Sequence, residues 1–182
     1  TGAVSFSGAA ALEDAVLDGD NFILSDFTAA GALTIDATGA IAQTTNTTRT
    51  VAGLLSLTGE NVALPSLSAA GGLVLDVTND TSIVNDQAVA LQGSVGGDLT
   101  LEIEGSISQS GPLQIAGDAT FDTSAALILD DLSAAGNVEV SVEDDLAIVN
   151  DLGIVLQGRV DGDANVRAAG DISDCLLYTS DA

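Results

Sequence analysis

An internal repeat limits what this chain can fold into more than any other feature. Segment 64–108 aligns with segment 129–173 at an offset of 65, without a gap, and 21 of the 45 aligned positions are identical. A partial earlier copy begins at Phe27. Units that recur along a chain stack on their neighbours and share a core, because one unit alone is too small to bury its own apolar face. The repeat therefore predicts an elongated array.

A shorter period lies within the long one. A glycine precedes a run of alternating apolar and polar residues about every 22 residues, at Gly31, Gly53, Gly72, Gly97, Gly117, Gly136 and Gly162. We expect one such unit to form one coil of a solenoid, and three coils to form the 65-residue repeat. On this interpretation Leu67 and Leu132 occupy the same interior column, three coils apart.

The alternating runs predict β-strands. Leu33, Ile35 and Ala37 alternate with polar residues, and a period of two is typical of a half-buried strand. Similar runs begin at Leu73, Leu99 and Val138. Short second strands are expected at 89–91 and 154–156. Only segment 8–17 favours a helix, through alanine, leucine and glutamate. The predicted fold class is all-β, with parallel strands stacked in coils.

Composition excludes several functions. The 182 residues include 27 Asp and Glu against 3 Lys and Arg, which gives a formal net charge of -24, and histidine is absent. A chain this acidic repels nucleic-acid phosphates and anionic lipid surfaces. Without histidine it has neither an imidazole general base nor imidazole ligands for zinc. No apolar run is long enough to span a bilayer, so membrane insertion is not expected.

Segment 97–121, GDLTLEIEGSISQSGPLQIAGDATF, resembles the haemagglutinin-type repeats of filamentous, two-partner-secreted bacterial adhesins and related large exoproteins. The resemblance lies in a Gly-Asp-Leu-Thr-Leu strand, a Gly-x-Ile-x-Gln-Ser turn and a Gly-Asp-Ala-Thr-Phe strand. Weaker versions occur at 31–44 and 136–151. It covers about residues 20 to 174 and implies a right-handed parallel β-helix (β-solenoid) in a secreted or surface-attached bacterial protein. The chain differs from the family in being unusually acidic and free of lysine.

These patterns divide the chain into three parts. Residues 1–19 are interpreted as incomplete leading coils, residues 20–174 as the solenoid, and residues 175–182 as a tail outside the repeat. The tail holds the single cysteine, Cys175, and the single tyrosine, and it looks like read-through of a sequencing adapter. One cysteine cannot form an internal disulfide. We expect the chain to be an internal segment whose solenoid continues into neighbouring repeats.

Acidic residues at the predicted corners form the first candidate site. Hard cations such as Ca²⁺ bind carboxylate and carbonyl oxygens. The alternative is a solvated acidic surface in which aspartate favours turns. The calcium-binding nonapeptide Gly-Gly-x-Gly-x-Asp is absent, so no metal site is predicted. The corner acids are Asp80, Asp86, Asp98, Asp145, Asp151, Asp161 and Asp163.

Three further patterns have a structural and a functional interpretation. Asn85 and Asn150 are typical of a stacked amide ladder or an Asx turn rather than of a catalytic residue. The threonine-rich segment 44–50 is too irregular for an ice-binding array and favours a loop or edge. Acidic pairs resemble the paired acids of glycosidases, yet 27 acids make some pairs inevitable. These pairs are Asp130 with Asp131 and Asp144 with Asp145. No catalytic or cofactor-binding residue is predicted.

Together these inferences lead to one functional hypothesis and two alternatives. We expect a non-enzymatic stalk in a secreted or cell-surface bacterial adhesin, a stiff rod of about 40 Å. Other parts of the full-length protein are expected to bind a glycan or protein of a host or neighbouring cell. The alternatives are a carbohydrate-active β-helix enzyme and a Ca²⁺-dependent extracellular matrix module. An enzyme is expected to interrupt the repeat with a long polar loop, so the gapless alignment favours the stalk.

Overall fold

The computed structural model describes residues 3–5, 10–44 and 49–179, and these residues form 22 β-strands and no helix. No helix that could cross a membrane therefore occurs among them. The strands are β1 (Ala3–Ser5), β2 (Ala10–Leu12), β3 (Ala15–Gly19), β4 (Asn21–Leu24), β5 (Phe27–Ala29), β6 (Leu33–Ala37), β7 (Ala40–Gln43), β8 (Arg49–Val51), β9 (Leu55–Gly59), β10 (Asn61–Ala69), β11 (Leu73–Val77), β12 (Thr81–Asn85), β13 (Val89–Val95), β14 (Leu99–Ile103), β15 (Ile107–Ile115), β16 (Ala119–Thr123), β17 (Leu127–Ala134), β18 (Asn137–Val142), β19 (Leu146–Asn150), β20 (Ile154–Val160), β21 (Ala164–Ala168) and β22 (Ile172–Thr179).

The strands form two long parallel sheets, one of thirteen strands and one of nine. From β9 onward, successive strands alternate between the two sheets, so one strand of each sheet makes one coil. Nine strands stacked about 4.8 Å apart give a rod of roughly 40 Å. The predicted all-β solenoid of stacked parallel strands is confirmed.

A continuous apolar interior fills the space between the sheets. Leu33, Leu55, Leu73 and Leu91 lie side by side in register and are all buried. The alternation predicted from the sequence appears in β14, where Leu99, Leu101 and Ile103 are buried while Thr100 and Glu102 are exposed. Period-two patterning therefore places one apolar stripe of each strand inside the coil.

A coil is shorter than the glycine spacing predicted. Leu73 pairs with Leu91 and Leu99 pairs with Ala119, so paired positions in these neighbouring coils differ in residue number by 18 and by 20. The glycine spacing overestimated the coil because the glycines do not occupy one column. Gly117 stacks on Gly97, whereas Gly53 stacks on Gly31 at a different corner. Where two consecutive glycines of the series lie at different corners, the number of residues between them is larger than the number in one coil.

The 65-residue repeat spans three and a half coils, so the expectation that Leu67 and Leu132 share a column is wrong. Leu67 lies in the thirteen-stranded sheet beside Asn85, and Leu132 lies in the nine-stranded sheet beside Asn150. Both leucines are buried. Equivalent residues of consecutive repeats therefore have the same local partners on opposite sheets.

Two predictions about the ends of the chain meet different outcomes. Segment 8–17 was expected to favour a helix, but β2 and β3 lie there and pair in parallel with β5 and β6. Pairing with the neighbouring coil outweighs a weak helical propensity. At the other end, β22 includes Cys175 and continues to Thr179, paired with β20. Residues 180–182 lie outside the described residues, and the non-native origin of the tail stays a prediction.

Candidate functional site

Aspartates at one corner of the solenoid bond to the backbone of the next coil. Asp80 Oδ1 accepts the N–H of Asp98 at 3.0 Å, and Asp98 Oδ1 accepts the N–H of Asp118 at 2.8 Å. Asp118 Oδ1 then accepts the N–H of Asn137 at 2.7 Å. Charge-assisted bonds of this kind are stronger than neutral ones. One carboxylate oxygen of each aspartate therefore holds the corner together.

The other predicted corner acids have separate surroundings. Asp145 Oδ1 accepts the N–H of Asp163 at 2.9 Å, in the same way as the aspartates of the first corner. Asp161 forms an ion pair with Arg159. Asp86 Oδ1 accepts a bond from Gln87 Nε2 at 3.3 Å. Over the described part of the chain, no three Asp, Glu or Cys side chains lie together in a group that could hold a metal ion.

An open acidic groove of about 360 Å³ lies on the described surface of the thirteen-stranded sheet. Within it Glu102 pairs in register with Asp122 on the next strand, so two carboxylates stack one strand apart. Its lining includes no basic residue, and the groove therefore repels anionic ligands. The carboxylates that line it belong to Asp86, Glu102, Glu104, Asp122 and Glu143.

Asn85 is buried, and its side chain pairs with the backbone of the coil below. Asn85 Oδ1 accepts the N–H of Ala69 at 2.7 Å, and Nδ2 donates to Ala69 O at 3.0 Å and to Gln87 O at 2.6 Å. Asn150 repeats this arrangement on Ala134, at 2.8 and 3.2 Å. The prediction of a structural amide holds, but the two residues lie on opposite sheets and do not stack in a ladder.

Two glutamines that the sequence analysis missed bond to the backbone in a similar way. Gln43 Nε2 donates to Ser66 O at 2.7 Å, and Gln43 Oε1 accepts the N–H of Ser66 at 3.1 Å. Gln109 makes the same two bonds to Asp131, at 2.8 and 2.7 Å. The available signal was the Ile-x-Gln that ends β7 and recurs in β15. Asp131 of the acidic pair Asp130–Asp131 is therefore bonded through its backbone to the Gln109 side chain.

Arg49 is fully buried, although segment 44–50 was predicted to be a loop or edge. It begins β8, and its Nη2 donates to Leu24 O and, at 3.3 Å, to Thr44 Oγ1. Burial lowers the pKa of the Arg49 guanidinium, and the nearby charge of Asp26 partly opposes that shift. Residues 45–48 of the predicted loop lie outside the described residues. Within the described part of this segment, Arg49 therefore packs in the core and does not lie in an exposed loop.

The fold and these surfaces define a repeat-containing β-solenoid whose polar side chains mainly tie one coil to the next. A family model described as "Repeats of unknown function (DUF5649)" matches residues 78–142. The matched segment is as long as one copy of the internal repeat found in the sequence. No curated protein and no solved structure shows significant similarity to the chain.

Proposed function

We propose that this solenoid is a non-enzymatic stalk segment of a secreted or cell-surface bacterial adhesin or related exoprotein. The observation that carries the proposal is the continuity of the two sheets and their core, from β3 to β22. Every coil hydrogen-bonds to the next along the axis, and a linear array of such contacts makes a rod. The 65-residue repeat adds length to this rod by repetition.

The acidic surface supports an extracellular role at a distance from a membrane. With a formal net charge of -24, the rod repels anionic lipid headgroups and other copies of itself. A stalk benefits from both effects, since it has to stay extended and soluble. In this proposal, other parts of the full-length protein bind a glycan or protein of a host or neighbouring cell.

Surface exposure on the source cells tests this proposal. Antibodies raised against the purified segment should label intact cells, and protease added outside should remove the signal. An antibody against a cytoplasmic protein, applied to the same cells, controls for leakage. Labelling that requires permeabilised cells would contradict the proposal.

A further inference from the structure

We infer that Asn79 is an acceptor for N-linked glycosylation, and that the sugar is attached before the coil that contains Asn79 has folded. The segment Asn79-Asp80-Thr81 matches the Asn-x-Ser/Thr motif of such acceptors, in which x is not proline. The inference goes beyond the stalk role, because it assigns a covalent modification to one corner of the rod. A second match to the motif, at 46–48, lies outside the described residues.

The side chain of Asn79 is exposed at the corner between β11 and β12. The backbone of this residue is tied to both neighbouring coils: its N–H donates to Glu60 O at 2.8 Å, and its C=O accepts the N–H of Gly97 at 3.0 Å. Gly97 has no side chain that could cover the corner from the coil above, and Glu60 in the coil below is itself exposed. The corner therefore leaves room for a sugar on the Asn79 amide.

Thr81, the third residue of the motif, is placed less favourably for the fold. It begins β12, lies in register between Val62 and Leu99, and is buried in the core. Its hydroxyl has no hydrogen-bond partner there. Such a group opposes folding, since it gives up its hydrogen bonds to water and gains none in the protein. The hydroxyl of Thr81 therefore calls for an explanation outside the packing of the solenoid.

The second copy of the repeat has neither member of the motif. At the offset of 65, Asp144 stands where the first copy has Asn79. Asp144 is also exposed, and its C=O accepts the N–H of Gly162 at 3.2 Å, so the corner keeps its backbone bond without asparagine. Leu146 stands where the first copy has Thr81, and it is buried in the core. The unpaired hydroxyl thus occurs in the copy that has the acceptor asparagine and is replaced by an apolar side chain in the copy that lacks it.

The burial of Thr81 determines the order of the two events. The motif requires a hydroxyl as well as an asparagine, and the folded solenoid exposes the asparagine alone. Transfer therefore takes place while β12 is still unpaired. Nδ2 of Asn79 attacks C1 of a sugar that is activated by a nucleotide or lipid diphosphate. The C1–N bond forms, the C1–O bond breaks, the diphosphate leaves with the electron pair, and the amide nitrogen gives one proton to a base of the transferase.

Peptide mass mapping of the full-length protein, purified from whole source cells, tests the assignment. Peptides that contain Asn79 should carry at least one sugar residue. Asn137 and Asn165 are exposed but lie outside the motif, and peptides that contain them should carry none. An unmodified Asn79 would overturn the inference. Because whole-cell protein is used, this result does not depend on the location of the protein, which antibody labelling of intact cells tests separately.

Three variants produced in the same cells separate the role of the motif from a role in packing. Asn79→Gln and Thr81→Val should each abolish the modification, and Thr81→Ser should keep it, because serine retains the hydroxyl. Thr81→Val removes the unpaired hydroxyl, so it should fold at least as well as the original chain by thermal unfolding. Full modification of the folded Thr81→Val variant would contradict the role given to the hydroxyl.

The order of the two events is tested with unmodified substrate. The folded segment and a synthetic peptide of residues 74–86 are each incubated with cell extract and a labelled sugar donor. Cytosol supplied with a nucleotide sugar and membranes supplied with a lipid-linked sugar distinguish the two donors. The peptide should accept the label at least about ten times faster than the folded segment, in which the motif is exposed only by local unfolding. Equal rates would overturn the order, and no label on the peptide with either donor would overturn the acceptor role.

Discussion

The side-chain amide of Asn85 spans the backbone of Ala69, with Oδ1 2.7 Å from Ala69 N and Nδ2 3.0 Å from Ala69 O. Ala69 ends a column of paired residues that runs through Leu12, Ala29 and Val51. Within the described chain no backbone pairs with Ala69 from above, because the chain turns away after Asn85, where Asp86 N donates to Leu67 O. The asparagine therefore closes the column with two bonds that a strand would otherwise supply.

Replacing Asn85 with Leu should lower the free energy of unfolding by about 2–4 kcal/mol, because the N–H and C=O of the buried Ala69 lose their partners. Asn150→Leu should act similarly on Ala134. Urea unfolding measures both changes. The control is Thr81→Val, since the Thr81 hydroxyl is buried without a hydrogen-bond partner. That change should be neutral or stabilising, and an equal loss in the control would contradict the explanation.

Alanine at Gly93 or Gly158 should destabilise the solenoid by about 2–4 kcal/mol. The two glycines have φ of 122° and 137°. An added Cβ would lie 1.9 Å from Leu75 O and 1.8 Å from Val140 O, so both strain and overlap oppose alanine. Thermal unfolding checks the loss.

Gly153→Ala serves as the matched control for these two changes. A Cβ there would come no closer than 3.2 Å to Asp171 O, and no left-handed φ is required. Its cost should stay below about 1 kcal/mol. Comparable losses at all three positions would show that the clash with the neighbouring strand is not the cause.

Arg49→Met should change the free energy of unfolding by less than about 1 kcal/mol, whereas Arg49→Ala should lower it by about 2–4 kcal/mol. Burial lowers the pKa of Arg49 because the charged form loses hydration, so an apolar chain of similar length removes that cost. Leu24 O keeps the N–H of Thr44 at 3.0 Å as a donor. A large loss with methionine in chemical unfolding would show that the guanidinium bonds outweigh its desolvation.

Added NaCl should raise Tm. Carboxylates on neighbouring strands, such as those of Glu102 and Asp122, lie side by side, and salt screens their mutual repulsion. Glu102→Gln should raise Tm at low salt, and the gain should shrink as salt increases. Glu60→Gln should have a smaller effect on Tm, because the residues that flank Glu60 in the neighbouring coils, Gly39 and Asn79, carry no charge.

Calcium should add little to this effect at matched ionic strength. Asp80, Asp98, Asp118 and Asp145 already use one carboxylate oxygen each to bond the backbone of the next coil. Melting curves with and without millimolar CaCl₂ compare the two salts. A large rise specific to Ca²⁺ that a chelator reverses would contradict the passive stalk and favour a Ca²⁺-dependent module.

The strands were predictable because alternation is local: the runs that begin at Leu33 and Leu99 fix their own inner and outer faces. The sheet to which a strand belongs was not predictable in this way. Leu67 and Leu132 are both followed by Ser-Ala-Ala-Gly and have equivalent partners, Asn85 and Asn150, on different sheets. Only the summed length of the coils between them determines that difference.

The amide contacts were only half predictable. A structural role for Asn85 follows from its residue type, but its bond to Ala69 depends on where the coil turns away. Gln43 bonds to Ser66, which lies on the next coil, and no local sequence pattern specifies that contact. The burial of Arg49 likewise depends on contacts with the coil below, at Leu24.

The repeat spans three and a half coils, which is not a whole number, and this has a consequence for any rod that contains several units. Each added unit lengthens the rod by three and a half coils and also turns whatever follows it to the opposite side. A second unit turns it back. A change in copy number by one therefore reverses the direction in which the next loop or domain faces, while a change by two alters reach alone.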